Sequence, residues 1–104
     1  MLYDEPEERA LFYKSISQNS DKVYLLQMVE SFNKPGTWVI YSCWGPRKHS
    51  GWNQKQVKIK AGRLAAEKEF GRLLSLKLRK GYEVGPRHCL PLGYPSLQAT
   101  AERY

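Results

Sequence analysis

The sequence predicts an α+β domain, a single antiparallel sheet of four to five strands with one amphipathic helix packed on a face. Three observations lead there. Between residues 22 and 60, apolar and β-branched residues come in short runs separated by glycine- and proline-bearing turns. From Arg63 onward the apolar spacing lengthens from two to three and four, the helical period. A length of 104 residues leaves room for one core and not for two.

Residues 1–9, with Asp4, Glu5, Glu7 and Glu8, read as a solvated acidic tail, and the domain is expected over 10–84. Ala10 to Ile16 supplies a first strand, closed by the turn-forming cluster Ser17 to Asp21. Lys22 to Glu30 is the strongest strand. Val23, Leu25 and Val29 project to one side while Tyr24, Leu26 and Met28 project to the other, so both faces are apolar and the strand belongs in mid-sheet. Asn33-Lys34-Pro35-Gly36 turns the chain, and Thr37 to Trp44 returns as a strand rich in β-branched and aromatic residues. Trp52 to Lys60 is the next strand, with Val57 and Ile59 expected inward and Lys58 and Lys60 toward water.

Ala66, Phe70, Leu73, Leu74 and Leu78 then define one helical stripe, with Lys68, Arg72 and Arg79 away from it. Gly71 interrupts the helix, and a close approach to the sheet would explain it. Gly81 stands where a left-handed cap is wanted, after Lys77, Arg79 and Lys80, cations that suit the negative end of the helix dipole. Tyr82 to Val84 offers a short edge strand. Residues 85–104, broken by Pro86, Pro91, Gly93 and Pro95, form a tail that either wraps the domain or stays mobile.

Composition narrows function. Hydrophobic residues at 41% are too abundant for a fully disordered chain, and no apolar run reaches the length of a membrane span. The acidic start is unlike a secretory signal peptide, so Cys43 and Cys89 are expected as reduced thiols of a cytoplasmic protein, nucleoid-associated if bacterial. Cys43, His49, His88 and Cys89 lack the paired spacing of a zinc site, and neither metal nor cofactor is expected. Charge is more informative: residues 47–80 hold eleven lysines and arginines against two acids. A basic block inside a folded segment is the footprint of a polyanionic partner, or else a solvated basic face.

Polar chemistry concentrates in the loop from Trp44 to Trp52, with Asn53 beside it. An indole at a strand end offers a stacking surface, and Arg47 and Lys48 beside it offer phosphate-binding donors. Trp44 shares parity with Trp38, so a core position is the competing reading.

"KVYLLQMVE", the strand "TWVIYSCWG", Gly51 seven residues beyond Trp44, and the helix end "LKLRKGYEV" occur in an order that resembles a WGR domain. The helix end looks like small bacterial members, the hairpin like the copies in DNA-dependent poly(ADP-ribose) polymerases. The resemblance implies binding to DNA at strand breaks. It assigns nucleotide stacking to Trp44, close backbone approach to Gly45, a phosphate contact to Lys77 and a polar contact near Asn53. Pro46 stands where the family has its signature arginine, and this departure weighs against a relay from DNA to a catalytic domain. The candidate nucleic-acid-binding residues are therefore Trp44, Gly45, Arg47, Lys48, Asn53, Lys55, Lys77 and Lys80.

Catalysis has little support. His88 and Cys89 are adjacent on an extended segment and project apart, no phosphate-binding glycine motif occurs, and Glu67 and Glu69 lie on different sides of a helix. The expectation is a non-enzymatic DNA-binding module, with RNA left undistinguished because no 2′-hydroxyl contact is legible. The rival is a protein-interaction module docking an acidic partner or a repair assembly through exposed aromatics and the Leu90-Pro91-Leu92 tail.

Overall fold

The computed structural model describes residues 5–47 and 54–104. Strands β1 (Glu7–Ser15), β2 (Ser20–Glu30), β3 (Thr37–Pro46) and β4 (Gln54–Ala61) follow one another and are succeeded by helix α1 (Arg63–Arg79). A short β5 (Glu83–Gly85), a 3-10 turn (Arg87–Cys89) and a second helix, α2 (Leu97–Arg103), complete the chain. The five strands form one antiparallel sheet in the order β4-β3-β2-β1-β5, an α+β fold.

The alternation in β2 sorts residues between two cores. Tyr24, Leu26 and Met28 join Leu11, Trp38 and Ile40 beneath Ala66, Phe70 and Leu73 of α1. Val23, Leu25 and Val29 join Val39, Tyr41 and Cys43 on the opposite face, against Tyr94 and Ala101. Each valine, leucine, isoleucine, phenylalanine or methionine among them, when fully buried, contributes roughly 1.5–3 kcal/mol of transfer free energy. That explains why β2 and β3 form the centre of the sheet. Lys34 and Thr37 close the β2–β3 turn (N···O 3.0 Å) around Gly36, whose φ of 85° a β-carbon would resist.

The stripe on α1 departs from expectation at its end. Leu78 is 45% exposed, and Lys77 takes the inward place beside half-buried Leu74. Residues 66, 70, 73 and 77 share one face at spacings of four, three and four, so the strip that meets the sheet ends on an amphipathic lysine stem. Gly71 faces solvent: a β-carbon there would meet nothing within 4 Å, so the expected close approach to the sheet is absent. Gly81 ends the helix at φ 100°, with the amides of Gly81 and Tyr82 donating to the carbonyls of Leu78 and Lys77.

Strand β4 also differs. Lys58 does not point to water but reaches Glu69 on α1 (2.5 Å), and Ile59 is 53% exposed. β4 is an edge strand whose outer portion extends past the cover on the far face, which stops at Val57.

The C-terminal segment wraps the domain. Ser96 caps α2 through its hydroxyl (Ala99 N to Ser96 Oγ, 3.1 Å), and α2 lies on the sheet face opposite α1. A buried polar knot fastens it. Gln27, fully enclosed, donates through Nε2 to Glu8 (2.7 Å) and to the Pro95 carbonyl (2.9 Å), and accepts from the Thr100 hydroxyl (2.5 Å). Arg87 donates to Glu8 and to the carbonyl of Pro95. This pull on Glu8 accounts for β1 beginning at Glu7 rather than Ala10, where the acidic tail was expected to end. The second helix had no clear sequence signal, because seven residues carry too few apolar positions to show a period.

Candidate nucleic-acid interface

A groove of about 480 Å³ opens where the β1–β2 hairpin, the end of β3, the start of β4 and the end of α1 meet. Its lining includes Trp44, Gly45, Lys77 and Lys80, four of the residues singled out from sequence. Tyr13, Lys22, Gln54 and Tyr82 join them.

Trp44 is neither sealed in the core nor free. Tyr24 is its cross-strand partner, and the two rings stack at 5.6 Å between centroids and 22° between planes. Its indole N–H donates to Gln54 Oε1 (3.1 Å), again across a strand pair. The half-buried ring is thus held in one orientation at the groove wall, with parity placing it on the α1 side, as for Trp38. Part of the ring remains for a ligand. That is a preorganised stacking surface.

Lys77 is the cation at the centre. Its ammonium lies 4.6 Å from the centroid of Tyr24 and 5.4 Å from that of Tyr82. Partial burial pushes its pKa down, and repulsion from Lys80 and Lys22 pushes it further in the same direction. Burial raises the hydroxyl pKa of Tyr82, with the neighbouring Tyr24 and Tyr13 adding to it. Three ammonium groups face one cavity whose described lining includes no carboxylate. An anion entering it would relieve their mutual repulsion.

The remaining candidates divide. Lys48 and Asn53 lie outside the described residues. Arg47 turns to the opposite sheet face, paired with Asp21 at 3.0 Å off the line of a directional hydrogen bond, and stacked 4.9 Å over the Phe12 ring. Lys55 pairs in register with Cys43, whose side chain belongs to that same far face. Neither lines the groove. The difference is one of parity, since residues that alternate with Trp44 along the strands are carried to the other side.

Lys22 is a groove-lining cation that sequence reading passed over. It shares parity with Tyr24 and lies opposite Pro46 in the ladder, which brings it to the same groove as Trp44 at the end of β3. Its parity was readable in the β2 alternation, but the register that sets it opposite Pro46 was not.

Cys43 is buried, with burial raising its thiol pKa, while Cys89 is exposed on the C-terminal segment. Leu90 packs at the edge of the far core, and Leu92 stands 86% exposed. Among the described residues no helix is long and apolar enough to cross a membrane.

Comparison with protein-family models, curated proteins and solved structures finds no match.

Proposed function

We propose that this protein is a non-enzymatic nucleic-acid-binding module of the WGR type, acting on DNA and favouring strand ends, nicks or frayed strands. The observation that carries the reading is the convergence on one open groove of a braced indole, Trp44, with the ammonium groups of Lys22, Lys77 and Lys80. A nucleotide presents the complementary pair of features, a flat face for the indole and an anionic phosphate for the lysines. An intact duplex offers its phosphates but keeps its base faces stacked. A broken or frayed end offers both.

The division of labour follows. Lysine phosphate contacts supply affinity that is indifferent to sequence and sensitive to salt. Trp44 supplies the preference for an exposed nucleotide. With Pro46 in place of the arginine characteristic of WGR domains, the cations that line the groove among the described residues are lysines from β2 and from the end of α1.

The test is a competition series of intact duplex, blunt end, nick, single-stranded DNA and RNA, read by fluorescence anisotropy at several salt concentrations. With three lysine contacts, the slope of log K against log salt is expected at about −3. A flat salt response, or binding to none of these competitors, overturns the reading.

A further inference from the structure

Lys77 is set apart from the other lysines of the groove by what surrounds its amine. Its stem leaves the last turn of α1, and its nitrogen lies over two aromatic rings, those of Tyr24 and Tyr82. Lys22 on β2 and Lys80 just past the helix share the cavity with it. Among the described residues no carboxylate lines that cavity or pairs with Lys77. The segment 48–53, which follows β3 in the chain, has no acidic residue in its sequence.

Opposing influences act on this amine. The ring faces favour the ammonium form, whereas burial and two like charges favour the neutral one. The second pair prevails, and the Lys77 pKa is lowered. Such a setting is poorly suited to holding a phosphate, for which an exposed ammonium at the rim serves better. It is well suited to a nucleophile, because a lysine becomes reactive when it is desolvated beside other cations.

The electrophile follows from the nucleic-acid reading above, on which this inference rests. A nucleotide that has lost its base equilibrates with an open-chain sugar whose C1′ is an aldehyde. Its flanking phosphates are what Lys22 and Lys80 attract, and the space vacated by the base suits the Trp44 indole. Tyr24 joins the two sides of the site, with Trp44 stacked at 5.6 Å and the Lys77 nitrogen 4.6 Å from its centroid.

We propose that Lys77 forms a reversible imine with the C1′ aldehyde of an abasic nucleotide seated in the groove among Lys22, Lys80 and Trp44. The amine lone pair adds to the carbonyl carbon, and the oxygen takes a proton from the nitrogen to give a carbinolamine. As the C=N bond forms, the C–O bond breaks and the hydroxyl leaves with the second amine hydrogen as one water. Nothing is oxidised or reduced. The product is a covalent hold without strand scission, in keeping with a binding module.

The experiment incubates the full-length chain with a duplex bearing one natural abasic site, or a tetrahydrofuran analogue that has no aldehyde, and reduces any imine with cyanoborohydride. Protein is held at concentrations that saturate each duplex by anisotropy, so that trapping is read per bound complex. Wild-type protein is expected to give an adduct on the natural site alone, with peptide mass spectrometry placing it on Lys77. Lys77→Arg, whose guanidinium stays protonated, is expected to cut trapping about tenfold or more. An adduct spread over Lys22, Lys80 and the surface lysines overturns the proposal, and so does undiminished trapping by the arginine variant. Binding to both duplexes without any adduct overturns the imine and leaves the nucleic-acid reading standing. If wild-type protein binds neither duplex, that reading fails and the imine with it.

Discussion

The ammonium of Lys77 lies 4.6 Å from the centroid of the Tyr24 ring, whose other neighbour is the stacked indole of Trp44. Cation, phenol and indole form one continuous wall, with a residue from each of α1, β2 and β3. The end of the helix and the centre of the sheet thereby build a single surface. Changing any one of the three is expected to alter what the others present.

Trp44→Ala is expected to erase any preference for broken over intact duplex while leaving most of the salt-dependent affinity. Parallel anisotropy titrations on the two substrates check this, with circular dichroism confirming that the sheet survives loss of the Tyr24 stack. An equal fall on both substrates counts against stacking.

Lys77→Met keeps an unbranched stem over Tyr24 and Tyr82 but removes the charge. The salt slope is expected to become shallower by about one, with affinity down about fivefold near physiological salt. Because burial, Lys80 and Lys22 lower the Lys77 pKa, wild-type binding should weaken as pH rises through that depressed value, before the other lysines titrate. For stability the sign is reversed. The unfolded chain holds this proton to higher pH, so the Lys77 contribution to stability rises with pH across the window below the ordinary lysine value. Lys77→Met should remove both effects.

Glu69 bridges Lys58 on β4 and Arg72 on α1, and hydrogen bonds from both cations hold its pKa down at about 2 against an ordinary 4.5. The stabilisation is therefore complete above the unfolded value and lost as pH falls toward 2. Glu69→Gln is expected to cost about 1 kcal/mol at neutral pH, allowing for solvent screening of the partly exposed cations. Urea unfolding across the acid range should show the two proteins converging as the carboxylate is protonated.

Gly71→Ala is expected to stabilise by about 1 kcal/mol, raising Tm by roughly 4–8 °C, because the position is exposed helix with open space around the added methyl. Nucleic-acid binding should not change. A neutral or lowered Tm would mean that the flat spot on α1 is needed for some contact with a partner.

Thr100→Val removes the hydroxyl that donates to the enclosed Gln27 carbonyl. The orphaned acceptor is expected to cost about 1–3 kcal/mol, seen as an earlier thermal midpoint. Removing residues 85–104 altogether uncovers Val23, Leu25 and Tyr41 along with Gln27, so that truncation is expected to impair folding before it reports on any partner.

Alternation and period by themselves determined the sheet and the first helix, though not α2. The two-sided β2, the Pro-Gly turn, the switch to helical spacing at Arg63 and the glycine cap at 81 are local regularities, each enforced by backbone geometry within a few residues. The assembly of the site was only half legible for the same reason. Trp44, Gly45, Lys77 and Lys80 carried signals in their own segments, whereas Lys22 enters through a ladder partner in β3, and Arg47 and Lys55 leave through strand parity. The covering of the second sheet face was decided by Gln27, Glu8, Pro95 and Thr100, residues from three distant segments whose hydrogen bonds converge on Gln27. Local sequence specifies which way a side chain leaves its strand. Which distant groups it meets there follows from register and from the need to pair every buried polar atom, and those are properties of the folded whole.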